Sequence, residues 1–356
     1  PFETTGTVTI GDEATDSFTY SGGAFAPTSP ATLSLAGTIT TSNATAGNGA
    51  VTLGDANTAV TLGAGLTVNT SASNSNITIA SSATIAGAGK ALTLNTGTGT
   101  ISITSALSGM GNLSFTANEI NWTASVDGIG TLTLKPTTTS NVINVGGTTD
   151  SGSTTLDILS SEIALLGTNF TNITFGGASQ SGNISLQSSL TAPGTATVTF
   201  DGPLVLNAAR TIAASTVTAK AINGSSSALT ITGNSVFNGA VTSVTNLSVS
   251  GTSAINANIT TSGTQGYTGA ATLGAGVTLD SSSGNGNITF SSTLNSLTSA
   301  RALTINAGTG TVTFTGAVGG TLALGATSIT AGSVVHSSTL VGSSTYGITG
   351  NASLDR

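Results

Sequence analysis

The chain has 356 residues, 5% of them charged, with a formal net charge of −7, one His, one Trp and no Cys; ordinary soluble domains carry about 25% charged residues. Six Lys and Arg scattered along the chain exclude a phosphate-gripping patch, so no nucleic-acid partner is expected. The missing thiols exclude a disulfide framework, and the recurring Val, Ile and Leu exclude a disordered linker, which is poor in such residues and rich in charge.

The first thirty residues stand apart. They hold four of the 13 acidic residues (Glu3, Asp12, Glu13, Asp16), four aromatics (Phe2, Phe18, Tyr20, Phe25) and three of the six prolines. Segment 1–30 is read as a cap or joining segment, and Phe2, Phe18, Tyr20 and Phe25 as the residues of a self-assembly joint. The sequence begins at Pro1 without Met, so a processed chain or a fragment of a longer one is expected. From there on the dominant pattern is strict alternation. Thr7-Val8-Thr9-Ile10, Thr32-Leu33-Ser34-Leu35, Leu92-Thr93-Leu94, Ile101-Ser102-Ile103, Leu132-Thr133-Leu134, Val198-Thr199-Phe200, Leu229-Thr230-Ile231 and Val312-Thr313-Phe314 each place apolar residues on one side and hydroxyls on the other. Period two with β-branched residues predicts short strands. Gly47-Asn48-Gly49, Asn223-Gly224 and Asn285-Gly286 punctuate them as turns. No segment carries a helical stripe, and no uninterrupted apolar run is long enough for a transmembrane helix.

A long-period repeat is laid over this alternation. Asn76-Ile77-Thr78 recurs as Asn183-Ile184-Ser185 and Asn287-Ile288-Thr289, and each copy is followed by a Gly-Thr-(Gly/Ala)-Thr strand. Leu62 to Gly109 aligns without a gap on Leu273 to Gly320, with 22 identities in 48 positions. Arrays of this kind bury their core by stacking neighbours. Short strands with few aromatics argue against a membrane barrel. Tandem β-sandwich domains are the alternative, but no large core anchor is seen to recur. The expected fold is all-β, a right-handed parallel β-helix (β-solenoid) over 31–356 with repeat copies near 50–145, 146–235 and 236–325, making roughly 15 coils at a typical solenoid period.

The phrases Leu-Gly-Ala-Gly-(Leu/Val)-Thr at 62–67 and 273–278, Ala-Leu-Thr-(Leu/Ile)-Asn-(Thr/Ala)-Gly-Thr-Gly-Thr at 91–100 and 302–311, and Thr-Phe-Thr-Gly-Ala-Val-Gly-Gly at 313–320 resemble the repeat regions of filamentous-haemagglutinin-like bacterial surface exoproteins and adhesins. The resemblance runs from about Ala50 to Gly325. It implies a β-helix shaft, exported and displayed at the cell surface or released outside the cell. The Asn-Pro-Asn motifs of that family's secretion domain have no counterpart, since the sequence contains no Asn-Pro pair.

Parallel β-helices also house carbohydrate-active enzymes, whose sites cluster carboxylates along one face. The candidates are Glu119 with Asp127, and Asp150, Asp157 and Glu162. Separations of eight residues between Glu119 and Asp127 and seven between Asp150 and Asp157 do not match one coil, so a shared face is not implied. His336, the one histidine, has no partner residues for a metal cluster and is expected at the surface or a corner. No catalytic residue, metal or cofactor is therefore assigned. The expected function is a non-enzymatic extracellular fibre subunit or adhesin shaft whose partners are copies of itself, joined head to tail, and surface glycans or a neighbouring cell. A carbohydrate-active or carbohydrate-binding β-helix is the alternative. Ranked Thr pairs such as Thr311 and Thr313 give ice binding a smaller claim. Asn76, Asn121, Asn183 and Asn287 are candidate glycan acceptors by their Asn-x-Ser/Thr context.

Overall fold

A computed structural model describes residues 5–27, 29–43, 45–152, 154–339 and 346–354. The strands pair in parallel and stack in about 15 turns of a β-solenoid, with one short helix, Ser160–Ile163. Two compact units divide it, the first comprising Pro1–Ile184 with Pro193–Ala196, the second Ser185–Ala192 with Thr197–Arg356. Tandem sandwiches would need antiparallel sheets; the ladders here are parallel and in register from coil to coil.

In the first unit a coil has three faces. One coil runs through Leu92–Asn95, Thr100–Ile103 and Leu107–Met110, then returns to the first face at Leu113–Thr116. On that face Leu66, Leu92, Leu113, Leu132 and Ile173 form one register column, and Val68, Leu94, Phe115, Leu134 and Phe175 another. Each of these side chains is 3% exposed or less, and burial of each stabilises the stack by about 1.5–3 kcal/mol. Between the two columns Thr67, Thr93, Ser114, Thr133 and Thr174 turn outward. The alternation in the sequence is thus the inside and outside of a narrow tube. The described part of 1–30 supplies two strands, Thr7–Ile10 and Ser17–Tyr20, both laid parallel on Thr32–Thr41.

In the second unit the coil shortens. Ser235 and Ser253, 18 positions apart, hydrogen-bond through their hydroxyls across adjacent coils, and the same column continues to Ala271. Further on, Tyr267, Phe290, Phe314 and His336 fill one interior column at unequal intervals along the chain. Tyr267 and Phe290 stack at 4.9 Å and 14°, Phe290 and Phe314 at 5.5 Å and 6°. The Tyr267 hydroxyl donates to Gln265 Oε1 at 3.0 Å, so the polar tip of that ring is satisfied. This corrects two expectations. Large core anchors do recur, and His336 is neither at the surface nor at a corner: it is 3% exposed and packs on Phe314 with ring centroids 5.5 Å apart. Burial holds its imidazole below the usual His value.

The recurring Asn-Ile-Thr phrase has a structural reason. Asn76 Oδ1 accepts the Thr100 N–H of the next coil at 2.9 Å, and Asn287 Oδ1 accepts the Thr311 N–H at 2.8 Å. Asn74 and Asn285 do the same for Thr98 and Thr309 at 3.0 and 2.8 Å. Corners cannot carry a strand ladder, so side-chain amides take over the coil-to-coil hydrogen bonds there. The phrase and the Gly-Thr-(Gly/Ala)-Thr that follows it are, in the outer two copies, the two halves of one corner staple.

Candidate functional site

The site arises where the first unit departs from its own period. Its second face is built from Val51–Leu53, Ile77–Ile79, Thr100–Ile103 and Glu119–Trp122, with Val51, Ile77, Ile101 and Ile120 in one column. On the first face the next step is about twice the usual length, running from Thr131 to Asn172 before the ladder resumes. The extra chain forms Val142–Gly147 and Thr155–Leu159, paired parallel with Asn144 opposite Asp157, and then the helix Ser160–Ile163.

Strand bonding on the second face therefore meets a side chain instead of another strand. The Trp122 N–H donates to Glu162 Oε1 at 3.1 Å, and the indole Nε1–H donates to the Glu162 carbonyl at 2.8 Å. Glu162 Oε2 accepts the Leu159 N–H at 2.8 Å, closing the first turn of the helix. Glu162 is 4% exposed. Burial, followed by Asp150 and Asp157, pushes its carboxyl up to about 7, although the two backbone donors oppose the shift.

Next to this end of the ladder, carboxylate oxygens of Glu119, Asp150 and Asp157 lie within 4.8 Å of one another. The three come from different places: the solenoid face, the turn after Gly147, and the excursion strand Thr155–Leu159. Asp157, 2% exposed, accepts the Asn144 Nδ2–H at Oδ1 and the Ser151 N–H at Oδ2, both at 2.7 Å. Asp150 is exposed and accepts the Gly152 N–H at 2.9 Å. Glu119 is different. It is 5% exposed, and no donor reaches either of its buried oxygens. Asp150 can meet it only across a shared proton. Burial first, then the charges of Asp150 and Asp157, push the Glu119 carboxyl up to about 8.

Separations in sequence did not imply this grouping; the long excursion is what folds Asp150, Asp157 and Glu162 back onto Glu119. Asp127 stays outside it. Both its oxygens accept from Asn169 Nδ2, at 3.2 and 3.1 Å. At the other end of the unit, Phe18 and Tyr20 pack on Phe25 with centroids 5.3 and 5.7 Å apart, while Phe2 lies outside the described residues. Asn76, Asn183 and Asn287 are exposed and Asn121 is half-buried.

The raised carboxyls set a pH dependence. A folded value of about 8 for Glu119 and about 7 for Glu162, against an ordinary 4.5, means that the folded chain holds these protons more tightly than the unfolded chain. Their contribution to stability is complete below about pH 4.5 and is lost as pH rises through 7 to 8. In the presence of a chelator, thermal unfolding of the first unit is expected at lower temperature near pH 8 than below pH 4.5. Glu119→Gln should flatten that slope, and an unchanged slope in the variant would remove Glu119 as its source.

Comparison of the chain with family models, with curated proteins and with solved structures finds no match in any of the three. Among the described residues, no helix is long and apolar enough to cross a membrane.

Proposed function

We propose that the chain is a non-enzymatic extracellular structural element, a shaft of the kind found in filamentous-haemagglutinin-like surface proteins, that assembles end to end. The observation that carries this reading is the state of the outermost strands. Thr7–Ile10 and Ser17–Tyr20 use one edge to pair with Thr32–Thr41, and Tyr346–Leu354 uses one edge to pair with Thr327–His336. Among the described residues, the register pairings of these outermost strands run to that one neighbour each. Such edges present rows of N–H and C=O groups that accept another strand, and a head-to-tail contact that does not close builds a filament. The half-buried Phe18 and Tyr20 around Phe25 give the first edge an apolar contact suited to a specific joint. The outward hydroxyl rows suit a surface that meets glycans or a neighbouring cell through many weak contacts.

Electron microscopy of the purified chain tests this. Fibres are expected, and deletion of 1–30 should leave short separate particles. Separate particles of the intact chain at high concentration would overturn self-assembly.

The carbohydrate-active alternative draws on one observation, a Glu119 carboxyl held protonated near neutral pH beside other carboxylates, as general acids are. Its mark would be turnover of an acidic polysaccharide that disappears in both Glu119→Ala and Asp157→Ala. Glu119 is enclosed, however, whereas a general acid must reach a bulky sugar.

A further inference from the structure

We propose that Glu119, Asp150 and Asp157 bind a divalent cation, calcium by preference, that fastens the 132–172 excursion to the body of the solenoid. Two observations carry this independently of the chain's larger role. The first is geometric. Two oxygens on opposite sides of a calcium ion, each about 2.4 Å from it, are about 4.8 Å apart, and the three carboxylates offer oxygens all within 4.8 Å of one another. The second is the unpartnered state of Glu119. A carboxylate 5% exposed, with both oxygens buried and no donor at either, is costly unless it takes up a proton or a cation sits beside it. Among the described residues the one salt bridge, Lys220 with Asp201, lies in the other unit, so no basic side chain is paired with the cluster.

The donor set determines the class of ion. All three ligands are carboxylates, with neither imidazole nor thiolate, which suits a hard cation over zinc or copper. Asp157 keeps its orientation through Asn144 and Ser151, and each of its oxygens has a lone pair left for a metal. Asp150 is exposed on the turn between Gly147 and Thr155, so water can complete the coordination on that side. Three protein carboxylates on one ion suit calcium, which takes many oxygen ligands in flexible geometry; magnesium holds its waters and is usually bound through one or two carboxylates. Glu162 adds negative charge nearby while its own oxygens stay engaged with Trp122 and Leu159.

Trp122, the one tryptophan of the chain, is on the same strand as Glu119 and supplies the readout. The full-length chain, stripped with a chelator, is titrated with terbium while Trp122 is excited. Sensitised terbium emission is expected, displaced by calcium and at least about tenfold less readily by magnesium. Calcium alone should raise the unfolding temperature. Asp150→Asn, at an exposed position that leaves the fold intact, should weaken calcium binding about tenfold or more, and Glu119→Gln should abolish it while circular dichroism stays that of a β-solenoid. The absence of calcium-displaceable emission from the folded chain would overturn the proposal. So would emission equal in wild type and Asp150→Asn, which would place the ion elsewhere. Magnesium displacing terbium as well as calcium does would overturn the choice of ion.

Discussion

Phe290→Ala is expected to destabilise the second unit by about 3–5 kcal/mol. Phe290 is 1% exposed and lies between the rings of Tyr267 and Phe314 at 4.9 and 5.5 Å. The substitution removes its buried area and both ring contacts, each contact worth about 0.5–1.5 kcal/mol beyond area. Collapse around the gap is restricted, because Tyr267 and Phe314 are fixed by parallel register on either side of Phe290. Phe290→Leu keeps most of the volume and should cost less than half as much. Hydrogen exchange by mass spectrometry is the suitable measurement, since stacked arrays need not unfold in one step. Protection should fall first in the strands bearing Tyr267, Phe290 and Phe314. A loss confined to Phe290→Leu, or none in either variant, would mean that the column contributes little.

Gly239→Ala should be more damaging. A Cβ on Gly239 would overlap the carbonyl oxygen of Lys220 inside covalent range, with backbone on both sides of the conflict. The coils can admit it only by separating, which would break the neighbouring bond from the Asn238 N–H to the Ala219 carbonyl at 2.9 Å. The cost is expected to exceed about 4 kcal/mol, the level reached only by changes with a specific structural cause. Gly23→Ala is the control, since nothing lies within 4 Å of a Cβ there; it should shift stability by about 0.5 kcal/mol or less. Soluble yield and urea unfolding of the pair would measure both, and equal stability of the two variants would contradict the coil spacing at Lys220.

The strands were legible because their cause is local. Alternation of Leu92-Thr93-Leu94 or Val312-Thr313-Phe314 follows from a wall with one wet and one dry side, and the parallel ladders carry those residues as read. The corner role of Asn76 and Asn287 left a trace too, in the phrase repeated downstream of each, but pairing the two halves needs the coil that brings Asn76 against Thr100. The aromatic column was missed because its members recur at unequal intervals, and unequal coils hide a column that equal ones would reveal. The carboxylate cluster was hidden for a different reason. Its members are joined through the long step from Thr131 to Asn172, which breaks the period, so spacing along the chain carried no information about distance in space.

The short, regular coil of the second unit bears on how such a chain can change length. Ser235, Ser253 and Ala271 stand in one column, and Asn234 with Thr252 and Asn246 with Thr264 repeat the same offset of 18 at the corners. Duplicating or excising one such block would return each side chain to the wall it left, whereas losing a single residue inside a strand would turn the dry side of the rest of that strand to water. Growth in this stretch is therefore quantised: its reach could evolve in whole coils, by unequal recombination, with the cross-section left as it was.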